Sequence, residues 1–485
     1  MIPVKRFQDK IAWLIFSAFL IIILLGALNH SPWRDEAQSW LIVRDLDFSE
    51  MISQMPYEGT PPLWHLLLFP LAKLGLPYAS EFILHYLIAA ASIFLLIFYS
   101  PLPRWIKFAA PFSYYFLFEY SVIARNYNLS ILLLFIIATL YEKRWQKPVL
   151  YSSMIFLLSW SNIHSLIPAA LLGGFFIFEF TKKVINENWS KLQTKHLVSA
   201  SLVVFGPISA VLMLIPYPDQ LSGYAFYSWP AITNALSVAL LPQLAGTLAP
   251  SHYLFLIISL LWIPLTVLLI KNRQALLFFS LACAWLFFIF ITKHFGDLRH
   301  YGLILVFLLF AWWLSLIIKT AAPLKNPKAT RYAELLILAV LISQALYSAN
   351  FYYQNVKKDF SGAKEIADYI KENNLDNKQI ATYPSYSGSA LLPYLPEQKF
   401  YQFETGRQDT FLTWDVFFYT GQASSYLLLK NKMKINYQQQ GIDITETLFL
   451  TTMPPGYDPD LELITKNTRP TVKADEFFYL YRWLK

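Results

Sequence analysis

Two adjacent acids, Asp35 and Glu36, follow the first apolar run of the chain directly. They open the stretch HSPWRDEAQSWLIVRDLDFSEMISQMPYEGTPPLWH, residues 30–65, which also holds Arg34, Arg44, Asp45, Asp47, Glu50 and Glu58 among three tryptophans. Charge at a membrane face is costly and marks function. A carboxylate there can take a proton from a hydroxyl, hold a divalent metal, or both. Neighbouring side chains on a helix diverge by ~100°, so one acid of the pair can face a reaction while the other meets the helix rim. A solvated helix start, with acids favoured by the dipole, explains the pair equally well. Glu58 precedes Gly59 and two prolines, a turn that aims it back along the membrane surface; a loop carboxylate in water is the plain alternative.

A second cluster, KHFGDLRHYG at 293–302, concentrates Lys293, His294, Arg299 and His300 before another apolar run. Arg299 offers the forked geometry that phosphate accepts, and His300 can add a hydrogen bond. At a bilayer edge the natural phosphate is a lipid headgroup; an interfacial anchor that snorkels is the alternative. Arg125, in SVIARNYNLS, can pair with a loop carboxylate or reach the same phosphate. His164, in SWSNIHSLIP, is a candidate metal ligand or a hydrogen-bonded interfacial residue. No GxGxxG, P-loop, HExxH or paired CxxC occurs, so nucleotide and zinc-finger chemistry find no support.

These residues need a scaffold, and composition supplies one. The 485 residues are 56% hydrophobic and only 14% charged, against about 25% charged in soluble domains. The apolar residues fall into long runs, which predicts an all-α polytopic membrane protein. Eleven spans are expected, at 11–29, 79–100, 106–122, 127–141, 149–162, 165–180, 197–215, 252–270, 275–292, 301–318 and 332–349. The first is read as a retained helix rather than a cleaved signal. The run 61–76, with Pro61, Pro62 and Pro70, predicts a juxtamembrane or re-entrant helix. Lys and Arg number 18 in the segments expected inside and six in the outer ones up to residue 300. By the positive-inside rule the N-terminus is cytoplasmic and the acidic loop lies outside with the C-terminal tail. The net charge of +8 therefore serves orientation, not nucleic acid. The lone Cys283 lies in an apolar run and permits no internal disulfide.

The chain divides into a membrane module, 1–349, with a first outer loop at 30–78, and a tail, 350–485. In the tail SGAKEIADYIKENN patterns as a helix with Ser361 able to cap it, and QIATY, TLFLTT and FFYLYRW read as strands. A small extracytoplasmic α/β domain resting on the outer loops is the expectation.

WRDEAQSW after the first span, YEGTPPLWH closing the first loop, Arg125-x-Tyr127 and DLRHYG opening a late helix together resemble the GT-C superfamily of membrane glycosyltransferases. The branch they resemble contains protein O-mannosyltransferases and lipid A aminoarabinose transferases. The resemblance implies a sugar donor on a polyprenyl phosphate, with Asp35 at the catalytic acidic position, Glu36 its usual neighbour and Glu58 at a second acidic position. It implies substrate and phosphate contacts from Arg34, Glu58, His65, Arg125, Tyr127, Lys293, Arg299, His300 and Tyr301. A divalent cation is an open option, with Glu58 and His164 its candidate ligands. Some relatives carry an Asp near the Arg-x-Tyr element, where this chain has Asn126 and Asn128. Because phosphate departs without a general acid, the enzyme would neutralise that phosphate and deprotonate an acceptor hydroxyl of a lipid, protein or glycan, inverting the anomeric carbon. The rivals are a lipid or polysaccharide transporter, which would put charge near the bilayer midplane and show repeats, and a non-catalytic scaffold.

Overall fold

Asp9 starts the first helix, its carboxylate accepting the Ile11 and Ala12 N–H groups. In the computed structural model, residues 9–186, 193–220, 230–245, 252–318, 327–422, 425–456 and 458–484 are described. Lys5, Arg6, Lys191, Lys319 and Lys325 of the inner basic tally lie outside them. Helix α1, Lys10–Leu28, turns Leu14, Leu25 and Leu28 outward, as a helix bathed in lipid should. Three short helices of the first loop follow: α2 (Arg34–Asp45), α3 (Phe48–Glu58) and α4 (Leu63–Lys73). Asp47 and Glu50 cap α3 reciprocally, and Gly59, at φ 61°, ends it in the left-handed region that a side chain would oppose. Helix α4 has 11 residues and includes Pro70, shorter than a full bilayer crossing needs.

Among the described residues, seven helices are long and apolar enough to cross a membrane. They are α1, α5 (Ala79–Phe98), α9 (Leu166–Asn186), α10 (Thr194–Met213), α14 (Arg273–Thr292), α15 (Leu298–Ile317) and α16 (Pro327–Lys357). The chain is thus a multi-pass membrane protein. The other four expected spans are shorter or broken. Residues 106–122 split into α6 (Arg104–Ala109) and two irregular turns around Pro111 and Ser113. The 127–141 and 149–162 runs form α7 (Tyr127–Leu140) and α8 (Pro148–Ser161), of 14 residues each. The 252–270 run breaks into α12 (His252–Ser259) and α13 (Trp262–Thr266), with Pro264 in the second piece. Helix α11 (Pro230–Leu240) has no counterpart among the expected spans.

The bundle is organised around α15. Of its apolar stretch 89% is buried, against 22–50% in the other six long helices, so protein surrounds it on all sides. Two glycines set its entry. Gly296 turns the preceding loop at φ 81°. Gly302 lies where an added Cβ would collide with the Tyr115 ring and the Tyr120 hydroxyl. The 115–120 turn therefore packs directly on the helix, and the Tyr120 hydroxyl donates to Arg299 O at 2.7 Å.

Helix α16 runs through the expected boundary at 350 to Lys357 before the tail begins. The tail carries α17 (Ala363–Glu372) and a six-stranded sheet of order β3-β2-β1-β4-β6-β5. Strands β1 (Gln379–Tyr383), β4 (Thr447–Thr451) and β6 (Tyr479–Trp483) fall on the three predicted runs. Strands β2 (Phe400–Gln402), β3 (Gln408–Asp409) and β5 (Leu461–Lys466) complete the sheet and were not legible; β2 and β3 are too short to show a period. Strand β1 runs parallel to β2 and β4, and the remaining pairs are antiparallel. Ser361 accepts the Ala363 N–H at the start of α17, as expected. The core under this sheet joins Ile366, Ile370, Leu391, Leu448 and Phe478 to Ala37 and Leu41 of α2. First loop and tail thus share one core at the same end of the bundle.

Candidate active site

Helix α2 begins because Glu36 holds its start. Glu36 is fully buried. Its carboxylate accepts the Trp33 N–H at 3.1 Å and the Ala124 N–H at 2.7 Å, and it meets His30 Nε2 at 2.8 Å. One side chain therefore fastens the first loop to the strip that carries Arg125. Its neighbour Asp35 diverges into a cavity of about 730 Å³. Arg299 Nη1 lies 3.0 Å and Arg125 Nη1 3.2 Å from Asp35 Oδ2, while Arg34 Nε lies 3.9 Å from Oδ1. Arg125 also donates to the Asp35 backbone O at 2.6 Å. Burial alone would raise the Asp35 pKa, but Arg299, Arg125, Arg34 and Lys473 outweigh it and bring the carboxyl down to about 2. Arg34 is also answered by Asp475, at 2.7 Å, and Arg299 by Asp297, at 3.6 Å, but Arg125 has only the shared Asp35 among the described residues, which leaves room for an anion beside it. Arg299 Nε is buried with no partner among the described residues.

Glu58 lines the same cavity from the C-terminus of α3. It accepts from Gln38 Nε2 at 2.9 Å and Gln54 Nε2 at 3.4 Å. Burial pushes its pKa up to about 7, against the lowering pull of those amides and of Arg125. The two acids are thus driven apart, Asp35 firmly ionised and Glu58 poised near neutrality. His65 lines the cavity with both ring nitrogens buried and unpartnered among the described residues.

Behind the arginines a polar chain fixes the wall. Asn126 Nδ2 donates to Thr60 Oγ1 at 2.8 Å, and Asn162 Nδ2 donates to Asn126 Oδ1 at 2.8 Å. Asn162 Oδ1 in turn accepts the His164 N–H at 2.9 Å and sits 2.6 Å from His164 Nδ1. The Asn126 amide thus donates to one neighbour and accepts from the other, joining Thr60 to Asn162.

His164, His294 and His300 each offer a nitrogen within 4.8 Å of the others, so a metal must be considered. Their protons argue against it. Asp297 N–H donates to His300 Nδ1 at 2.8 Å, and Gly296 N–H donates to His294 Nδ1 at 2.9 Å. Each neutral ring then carries its proton on Nε2, and His300 Nε2 meets the Tyr127 hydroxyl oxygen at 2.9 Å. Only His164 Nε2 retains a lone pair free for a ligand, buried and unpartnered among the described residues. A metal needs deprotonated nitrogens, so these rings do not fit a three-histidine centre. They fit an orienting role instead. His300 donates to Tyr127, which leaves the tyrosine O–H free to donate into the cavity.

Ten of the twelve expected site residues converge here: Arg34, Asp35, Glu58, His65, Arg125, Tyr127, His164, Lys293, Arg299 and His300 all line the cavity. Glu36 does not, being consumed in fastening α2. Tyr301 does not either; its hydroxyl donates to Phe295 O at 2.6 Å and accepts from Asn234 at 3.1 Å, bracing the turn before α15. Sequence reasoning missed the tail. Tyr386, Ser389, Leu412 and Trp414 close the cavity. Asp475 and Glu476 grip Arg34 at 2.7 and 3.3 Å, and Glu476 also accepts the Arg34 N–H at 3.0 Å. Lys473 stacks 4.0 Å from the Trp33 ring centroid. The signal was present in the run KADEFFYLYRW, three charges abutting a strand.

Neither a family model nor a curated protein sequence matches the chain. Among solved structures it is similar to a crystal structure of ArnT from Cupriavidus metallidurans bound to undecaprenyl phosphate, with a TM-score of 0.50 and 12% identity over 96% of this chain and 97% of that one. A likeness spanning both bundle and tail shows that the chain shares the fold of that ArnT structure over nearly its whole length.

Proposed function

We propose that this protein is a glycosyltransferase that moves a sugar from a polyprenyl-phosphate donor to an acceptor hydroxyl at the extracytoplasmic membrane face. The observation that carries the reading is the clasp of Arg125 and Arg299 on Asp35, with Arg299 Nε unspent. A donor phosphate supplies the anion this cavity lacks. Trp285, Phe288 and Ile289 of α14 line the same cavity, and Phe288 is 51% exposed, so the wall continues onto the lipid-facing surface, where a prenyl chain can lie. The ArnT structure of like fold holds undecaprenyl phosphate, and we carry that ligand class over to this chain. Charge gathered at one end of the bundle favours an enzyme over a transporter, which would place it at mid-span.

In this reading Arg125, Arg299 and the Tyr127 hydroxyl bind the phosphate, with Lys293 and Arg34 adding to the field. Glu58 and His65 face the sugar. The acceptor, a lipid, protein or glycan, enters beneath Trp414 and Tyr386. Its oxygen attacks the anomeric carbon as the bond from that carbon to the phosphate oxygen breaks, and polyprenyl phosphate leaves with the bonding pair. Asp35 takes the acceptor proton. Without donor its basicity is suppressed, because both arginines hold it; phosphate draws them off and raises it, so the base forms only when the donor is in place. Glu36 acts as a positioning residue. No step needs a metal; were a divalent cation to bind, Glu58 and His164 are the residues with capacity, and it would add Lewis acidity at the phosphate.

The test pairs binding with product. Purified protein should bind undecaprenyl phosphate, and the R125Q/R299Q variant should lose about 100-fold in affinity. A gene-deletion strain complemented with wild type should regain a glycan, seen by mass analysis, that the Asp35→Asn variant cannot restore. Unaltered glycans in the deletion strain, with no binding in vitro, would overturn the reading.

A further inference from the structure

Three cations converge on one buried indole. Trp33 stands immediately before α2 and is 3% exposed. Its ring centroid lies 5.1 Å from the guanidinium carbon of Arg34, 5.4 Å from that of Arg299 and 4.0 Å from Lys473 Nζ. These side chains come from the first loop, the start of α15 and the tail. We propose that Trp33 is a positioning residue for donor binding, whose ring face holds Arg34 and Arg299 at the cavity wall and keeps both guanidiniums available to a phosphate. The inference rests on the reading above, in which these arginines meet the donor.

Like charges gathered this closely repel, and carboxylates do not reach all of them. Arg34 has Asp475 and Glu476, and Arg299 has Asp297 and a share of Asp35. Lys473 forms no ion pair among the described residues; its ammonium rests on Trp33 and lies 5.7 Å from the Phe360 centroid. The negative face of an aromatic ring attracts cations within about 6 Å of its centroid. The indole therefore offsets the repulsion without adding a carboxylate that would compete with phosphate. The ring is also held in place. The Trp33 backbone N–H donates to Glu36 Oε2 at 3.1 Å, and Phe360 meets the indole edge-on, with centroids 6.1 Å apart and planes at 82°. Its own Nε1–H is buried with no partner among the described residues. An unpaired buried donor is costly, so Trp33 serves here through its face and not through a hydrogen bond. Arg34 and Arg299 line the cavity and Trp33 does not, so it acts through them. Phosphate displaces Asp35 from Arg299, because both compete for the same N–H groups. The ring face does not compete for them, so the guanidinium stays placed when the donor arrives.

The test titrates the full chain in detergent with undecaprenyl phosphate by calorimetry, with fluorinated tryptophans installed at position 33 alone by genetic code expansion. Fluorine withdraws electron density from the ring face and leaves its shape nearly unchanged, so packing is kept while the pull on cations fades. Mono-, di- and tetrafluorotryptophan should weaken binding stepwise, to about fivefold at the last step, with the melting temperature held. Trp33→Leu should lose about tenfold and Trp33→Phe less, because a phenyl ring keeps part of the attraction. An affinity that stays flat across the fluorine series would overturn the positioning role, even if Trp33→Leu binds poorly, and would leave the donor reading standing. Wild-type protein that fails to bind undecaprenyl phosphate would instead overturn the donor reading and this inference with it.

Discussion

Replacing Asp35 by Asn separates binding from chemistry in a way that no other change at this site does. The carboxyl lies at about 2 instead of 3.8 because Arg299, Arg125, Arg34 and Lys473 outweigh the penalty of burial. A fall of nearly two pKa units is worth ~2.5 kcal/mol at about 1.4 kcal/mol per unit. Part of that attraction is what an incoming phosphate must win from Asp35, since Arg299 and Arg125 are the nearest cations, at 3.0 and 3.2 Å. The amide frees them. Undecaprenyl phosphate should therefore bind the D35N variant roughly tenfold tighter than wild type, with ~60-fold as the ceiling, while transfer falls to background. Isothermal titration in detergent measures the first quantity and product mass analysis the second. Stability moves the other way, because a depressed pKa contributes stability above about 3.8 that is lost as pH falls through about 2. At neutral pH D35N should thus melt at a lower temperature than wild type, and the gap should close in acid. Weaker donor binding in D35N, or retained transfer, would refute the claim that one carboxylate both guards the arginines and accepts the proton.

Three further perturbations probe the same cavity. Tyr127→Phe removes only the hydroxyl that His300 orients, so donor affinity should drop about tenfold with the fold intact; an unchanged Kd would mean that the proton points elsewhere. Asn126→Asp cannot donate to Thr60, and the melting temperature in detergent should fall by an amount equivalent to ~1–3 kcal/mol; a variant as stable as wild type would sink the relay. Glu58, raised to about 7 mainly by burial, holds its proton below that pH and sheds it above. The pH profile of kcat/KM should therefore bend near 7 and flatten in Glu58→Gln, and a wild-type profile without that bend would remove Glu58 from the sugar side.

How much of this was legible depends on whether local pattern or distant partner decides. Asp35, Arg125 and Arg299 sit beside the ends of long apolar runs, so hydropathy alone brought them to one face of one bundle. Adjacency could not say which of Asp35 and Glu36 faces the cavity; the phase of α2 decides, and Glu36 is drawn inward by the Ala124 N–H, 88 residues away. The long spans were clear because 20 apolar residues in a row have few alternatives. Residues 106–122 were not, because apolar composition hid the break that Pro111 and Ser113 impose. Lys473, Asp475 and Glu476 read as ordinary surface charge, and only the folded tail brings them to Arg34 and Trp33.

The grip of Glu476 on the Arg34 backbone spans 442 positions. A ribosome releases α2 long before its clamp, so the nascent first loop waits through every intervening insertion with a bare guanidinium and with Ala37 and Leu41 uncovered. Closure of this cavity is thus a late step relative to the bundle, and a chain that stalls short of Glu476 leaves helices in the membrane whose entrance was never assembled.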